Sequence, residues 1–178
     1  MKLPKPQFAC PANIVFACLL AGLSGAAGAA ADYPPRKPGL WEMKIAVNGQ
    51  AAMPAMTSQQ CIDAGSDQAM REMGNGMGKD ACSKQDVRNE GGRIVIDSVC
   101  KVGTTTSTSH GVITGDFGSA YRMESRSTYN PPMGGRAEGN MVLEAKWLGP
   151  CKADQKPGDV IMSNGNKMNL LQMMGSKK

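Results

Sequence analysis

The stretch from Cys82 to Cys100, CSKQDVRNEGGRIVIDSVC, constrains the fold more than any other part of the chain. Two runs of mixed polar and apolar residues flank Asn89-Glu90-Gly91-Gly92, residues that tolerate positive φ and mark a tight reversal. A three-residue loop at 90–92 sets Asn89 opposite Arg93 and, in the same register, Cys82 opposite Cys100. Opposed residues of an antiparallel pair lie ~4.5–5.5 Å apart, within reach of a disulfide. The competing reading, two free buried thiols, fits an exported chain less well. The run Ile94-Val95-Ile96 breaks the alternation. Either both faces of that strand are covered, or a bulge sits near Gly91-Gly92.

Export is read from the first 31 residues. Lys2 and Lys5 give a positive start, Ile14 to Leu23 form a short apolar stretch, and Gly25 to Ala31 offer A-x-A cleavage at Ala27-Gly28-Ala29 or Ala29-Ala30-Ala31. The pattern is that of a cleavable signal peptide, too short and too Gly/Ala-rich for a membrane span. Cys18 is followed by further apolar residues, so a lipid anchor is rejected. Removing residues 1–31 from the 178 leaves 147 residues, enough for one domain, and lowers the net charge from +5 to +3. That charge is too small and scattered for a nucleic-acid partner, and no transmembrane span is expected in the mature chain.

Four cysteines remain: Cys61, Cys82, Cys100 and Cys151. Three pairings are possible. The hairpin favours Cys82–Cys100, which would leave Cys61–Cys151 to tie an early segment to the end of the last long strand. Their spacing fits no zinc pattern and there is no CxxC, so their role is structural. Core material is scarce: Leu, Ile, Val and Phe make up 20 of the 147 residues, while thirteen Met remain. Met is therefore expected to fill space where Leu is lacking, helped by disulfides that restrict the unfolded state by ~2–4 kcal/mol each.

Taken in order, residues 32–38 (DYPPRKP) form an extended, loose Pro-rich lead-in. Trp41, Met43, Ile45 and Val47 then alternate with Glu42, Lys44 and Ala46, the pattern of a half-buried strand. Residues 50–60 read as a connection carrying Met53 and Met56. Ser66 to Met73 reads as a short helix capped by Ser66, with Asp67 at the positive end of its dipole and Gly74 as its stop. Residues 74–78 follow as flexible loop. From residue 103 the chain is a meander: a strand over 104–114, a turn at 115–118, a return over 120–129, and a last long strand ending near Cys151. Residues 152–178 are a tail with a small hairpin about Asn164-Gly165 and a marginal terminal turn. The whole, a domain over 39–151, is a mainly β antiparallel meander, forming a curved sheet or open barrel with one short helix.

Several pieces in this order resemble a known family. They are Gly39-Leu40-Trp41-Glu42, Met53-Pro54-Ala55-Met56, the run Thr57-Ser58-Gln59-Gln60-Cys61, the Cys…Cys hairpin, and Gly149-Pro150-Cys151. Together they resemble the exported proteobacterial domain-of-unknown-function family 3617 over about residues 38–151, with Ala55 where glycine is common. The resemblance implies a disulfide-bonded envelope protein and favours the periplasm over extracellular release. It brings no activity, catalytic residue or ligand.

The chemistry is weighed residue by residue. The lone His110 lies on the Thr-rich strand. If Thr114 pairs with Ser119, His110 faces Met123 and Val112 faces Tyr121, and a His–Met pair suggests copper(I). Met53, Met56 and the helical stripe Met70, Met73, Met77 add to that reading, although a buried Met face explains them equally. No nucleophile–base pair or motif for hydrolysis is present, and Glu42, Glu124 and Glu144 alternate outward. No cofactor is called for and no enzyme is read. The remaining classes are a protein-interaction domain of the envelope and a carrier of an apolar, lipid-like molecule. For the carrier, the candidate face is Trp41, Tyr121, Met123, Met141, Leu143 and Trp147. A carrier requires an internal cavity; a protein-binding module, a filled core with an apolar or unpaired edge.

Overall fold

A computed structural model describes residues 33–48 and 55–175, so the signal segment and Met53 lie outside the described residues, as does the side chain of Met77. The elements are β1 (Gly39–Asn48), β2 (Met56–Ile62), α1 (Ala64–Ala81), β3 (Cys82–Glu90), β4 (Arg93–Val102), β5 (Thr105–Asp116), β6 (Ala120–Met133), β7 (Arg136–Gly149), β8 (Asp159–Met162), β9 (Lys167–Asn169) and α2 (Leu170–Gly175). The strands form one open, antiparallel sheet in the order β3-β4-β5-β6-β7-β1-β2-β8-β9. The mainly β, antiparallel architecture read from the sequence is the one observed.

The helix is longer than expected. It starts two residues earlier, where Asp63 rather than Ser66 caps it: Ser66 N donates to Asp63 Oδ1 (2.7 Å) and Asp63 N donates to Ser66 Oγ (2.8 Å). Donation from Ser66 N, and then from Ser66 Oγ, holds the Asp63 carboxyl below its usual range. Nor does Gly74 stop it. The sheet order explains why, because α1 must carry the chain from β2, seventh in the sheet, to β3, first. A crossing of that kind needs a long connection, and eighteen helical residues rise about 27 Å.

Two registers differ from expectation, with different consequences. In the β3–β4 hairpin the loop is two residues, Gly91 and Gly92, at φ 58° and 83°, the combination that a type I′ turn requires. Glu90 therefore faces Arg93, and a bulge between Cys82 and Lys84 brings Cys82 back opposite Cys100. The disulfide forms. Val95, paired with Arg88 and Val112, is buried on one face and Ile94 on the other, so both faces of β4 are covered there. In the β5–β6 hairpin, Thr114 faces Arg122, not Ser119. The turn is set by Asp116, whose carboxylate accepts from Gly118 N and Ser119 Oγ. A shift by an odd number reverses the face of a side chain. His110 consequently faces Asp97 and Arg126, not Met123.

Residues 56–60 are strand, not connection: Met56 to Ile62 pair along β1. The lead-in is also not loose. Lys37 N donates to Phe117 O (2.9 Å), and the indole N–H of fully buried Trp41 donates to Lys37 O (2.8 Å). Gly39, at φ 135°, follows directly, and a Cβ there would come within 2.4 Å of Gly149 O and 2.5 Å of Trp147 Nε1. That close approach accounts for glycine at the start of β1. The tail hairpin about Gly165 forms and joins the sheet through β8 on β2. Burial pushes the Asp159 carboxyl up, but hydrogen bonds from Lys167, Asn169 and Lys156 prevail and lower it to about 2.

The two disulfides close loops of different length, Cys61–Cys151 closing 90 residues of chain and Cys82–Cys100 closing 18. Loop-closure entropy gives ~4.6 kcal/mol for the first and ~3.2 kcal/mol for the second. In urea unfolding of the oxidised protein, Cys61→Ser/Cys151→Ser is expected to lose more stability than Cys82→Ser/Cys100→Ser. Equal losses, or the reverse order, would contradict this account of the staples.

Candidate functional site

Between α1 and the face of the sheet beneath it lies an open cleft of about 380 Å³. Its sheet wall is contributed by six neighbouring strands: Ile96 of β4, Ile113 of β5, Tyr121 and Met123 of β6, Leu143 of β7, Met43 of β1 and Gln60 of β2. Laid flat, those strands would span about 24 Å. For all six to reach one cleft of this size, the sheet must curl around it. The roof comes from Met70 and Met73 of α1, Leu170 of α2, and Tyr33 and Pro34 of the lead-in. At ~30 Å³ per water, the space holds about a dozen waters, at the lower end of the size of small-molecule sites.

Beneath the cleft is the core of Trp41, Met43, Ile62 and Ala145. Tyr121 separates the two, its ring 5.8 Å from that of Trp41 and stacked on Phe117 at 4.6 Å. Burial pushes the Tyr121 hydroxyl up, so it stays neutral.

One end of the cleft is polar. Asp67, 1% exposed, accepts from Arg36 Nε (2.7 Å) and Arg36 N (3.0 Å), and Arg71 Nε lies 3.4 Å from its other oxygen. Arg36 donates further to Gln60 Oε1 (3.1 Å) and Met70 Sδ (3.4 Å), and Arg71 donates to Tyr33 O (3.0 Å). This network fastens the lead-in over α1 and β2.

Of the six residues expected to face an apolar ligand, Tyr121, Met123 and Leu143 line the cleft. Trp41 lies in the core below it. Trp147 packs against that core outside the lining, its N–H donating to Pro38 O (3.1 Å) and its ring covered by Lys37 Nζ at 3.7 Å. Met141 pairs with Ser125 and Val47 outside the lining. The opposite face of the sheet carries charge: Arg88 bonds Asp86 and Asp97, Asp97 bonds His110 Nδ1 (2.8 Å), and Arg122 bonds Glu124 and Glu144. Glu124 and Glu144 thus point outward as expected. Hydrogen bonds from His110 and then Arg88 hold Asp97 below the usual carboxylate range. Among the described residues no group of three His, Cys, Asp or Glu is placed to hold a metal.

Sequence reasoning missed Arg36 and the buried role of Asp67, because 31 residues separate the partners. The i,i+4 pair Asp67–Arg71 was the only local hint.

A family model described as "Protein of unknown function (DUF3617)" matches residues 36–151, from the guanidinium that grips Asp67 to the last disulfide cysteine. No curated protein and no solved structure matches the chain.

Removing one partner of a buried pair costs ~3–5 kcal/mol, whereas exposed pairs are worth ~0–1 kcal/mol. In denaturant unfolding, Asp67→Asn is therefore expected to lose several-fold more stability than Glu144→Gln on the outer face. Similar losses for the two variants would show that the lead-in is not held by this pair.

Proposed function

This chain belongs to the DUF3617 family, whose description carries no activity, and we propose that it is a non-catalytic binding protein that carries an apolar small molecule in the cleft under α1. The observation that carries this reading is the cleft itself. Met43, Met70, Met73, Ile96, Ile113, Met123 and Leu143 surround a space that the described side chains leave unfilled. A wall of this kind supplies hydrophobic attraction without shape selectivity, because the thioether chain adapts to what it meets. The protein works in an exported, oxidising compartment, the periplasm, a setting supported by two disulfides and four paired cysteines.

A protein partner added at a sheet edge is the less supported reading. Edge strand β3 alternates Lys84, Asp86, Arg88 and Glu90, charges of the kind that discourage strand addition. The copper reading rested on His110 beside Met123, and these residues lie on opposite faces of the sheet.

The test is binding of a neutral apolar fluorophore, N-phenyl-1-naphthylamine. Saturable fluorescence enhancement is expected for the native chain. It is expected to fall sharply in Leu143→Trp and Ile113→Trp, which fill the cleft from two strands. Enhancement equal in both variants, or none in the native chain, would sink the proposal.

A further inference from the structure

The two walls of the cleft share one material. Met70 and Met73 reach it from α1, while Met43 on β1 and Met123 on β6 reach it from the sheet. Thioether side chains thus border the space from above and from below. Sulfur is more polarisable than a methylene carbon, and it makes favourable contacts with aromatic rings, often at the ring edge. Rings already stand in the same lining. Phe117 and Tyr121 are stacked there, their centroids 4.6 Å apart and their planes 12° from parallel. Aromatic pairs in such arrangements attract one another beyond the area they bury.

The ionised groups of the lining are engaged with the protein itself. Among the described residues they are Arg36, Asp67 and Arg71. Arg36 donates to Asp67, Gln60 and Met70, and Arg71 donates to Tyr33 O and lies against Asp67. Tyr33 and Tyr121, the other titratable groups of the lining, stay neutral because burial pushes their hydroxyls up. A charged ligand would lose its hydration on entering and would have to break one of these contacts to regain a partner. A neutral one loses little.

Resting on the carrier reading above, we infer that the ligand is a neutral, flat, fused-ring aromatic molecule, held between the methionines of α1 and those of the sheet. A space of about 380 Å³ holds about a dozen waters, and roughly as many carbon atoms make a fused pair of rings. A flat ring can meet sulfur from both walls at once. A saturated molecule of the same outline gains only from burial there, because it offers the thioethers no π-system.

The test uses four probes on one carbon skeleton: 2-naphthol, its saturated counterpart decahydro-2-naphthol, the anion 2-naphthoate and the cation of 2-(aminomethyl)naphthalene. Each competes at neutral pH against N-phenyl-1-naphthylamine, excited to the red of naphthol absorption. The saturated alcohol has at least as much apolar surface, so burial alone predicts no preference for the ring. Naphthol is expected to bind about tenfold tighter than decahydronaphthol, and both charged probes more weakly than naphthol. The double variant Met73→Leu/Met123→Leu removes one sulfur from each wall at nearly constant volume, a change that cores tolerate. Met70 is left in place because its sulfur accepts from Arg36. In this variant naphthol affinity is expected to fall several-fold while decahydronaphthol affinity holds, and circular dichroism melts check folding. Decahydronaphthol binding as tightly as naphthol, a charged probe doing so, or naphthol affinity unchanged in the variant would overturn the ligand assignment and leave the carrier reading standing. Failure of all four probes, together with no fluorophore binding, would overturn both.

Discussion

The buried ion pair between Arg36 and Asp67 holds together parts of the chain that nothing local would join. Asp67 sits in the first turns of α1, where a carboxylate already gains from the helix dipole. Its burial would be costly without a partner, since an isolated carboxylate loses its hydration on entering the interior. Arg36 resolves this with both a backbone N–H and the guanidinium, which also donates to Gln60 and the Met70 sulfur. One side chain thereby ties the lead-in, β2 and α1 together. The cleft exists because this tie holds the helix above the sheet at that end, while the other end is connected directly to Cys82 and its disulfide.

The scaffold manages with little aliphatic material. Its packed centre is small, with Trp41 fully buried and Met43, Ile62 and Ala145 around it. Much of the remaining order comes from backbone pairing along a nine-stranded sheet and from two covalent links. Methionine serves twice under these conditions. Met43 contributes to the core and to the cleft, and Met70 accepts a hydrogen bond while it packs against the core. The composition that looks poor for stability is suited to a wall around something else.

Much of the fold was legible because strands announce themselves by alternation and turns by glycine. The Cys82–Cys100 staple, the tail hairpin and the outward glutamates were all readable in this way. The hairpin loop was misjudged by one residue, yet the cysteine pairing survived, because a bulge beside Cys82 absorbed the difference. No such compensation occurred at Asp116. Its carboxylate shortened the turn, moved the register by three and carried His110 to the other face. Half of the expected face lies in the cleft, since Tyr121, Met123 and Leu143 obey the period of a strand. The polar end was not legible, because its residues come from a proline-rich segment and a helix 31 positions apart. Nor did the helix end where Gly74 suggested. The distance it had to cover was set by strand order, which no local pattern encodes.

The most direct test of the cleft as a binding site is methyl NMR of the methionines, with ε-¹³C-labelled protein titrated with N-phenyl-1-naphthylamine. Met43, Met70, Met73 and Met123 line the cleft, whereas Met56, Met133 and Met168 are exposed elsewhere. The account predicts that the first four methyl signals shift together and saturate, while the other three stay in place. Shifts confined to the exposed methionines, or no saturable shift at any of the four, would contradict it.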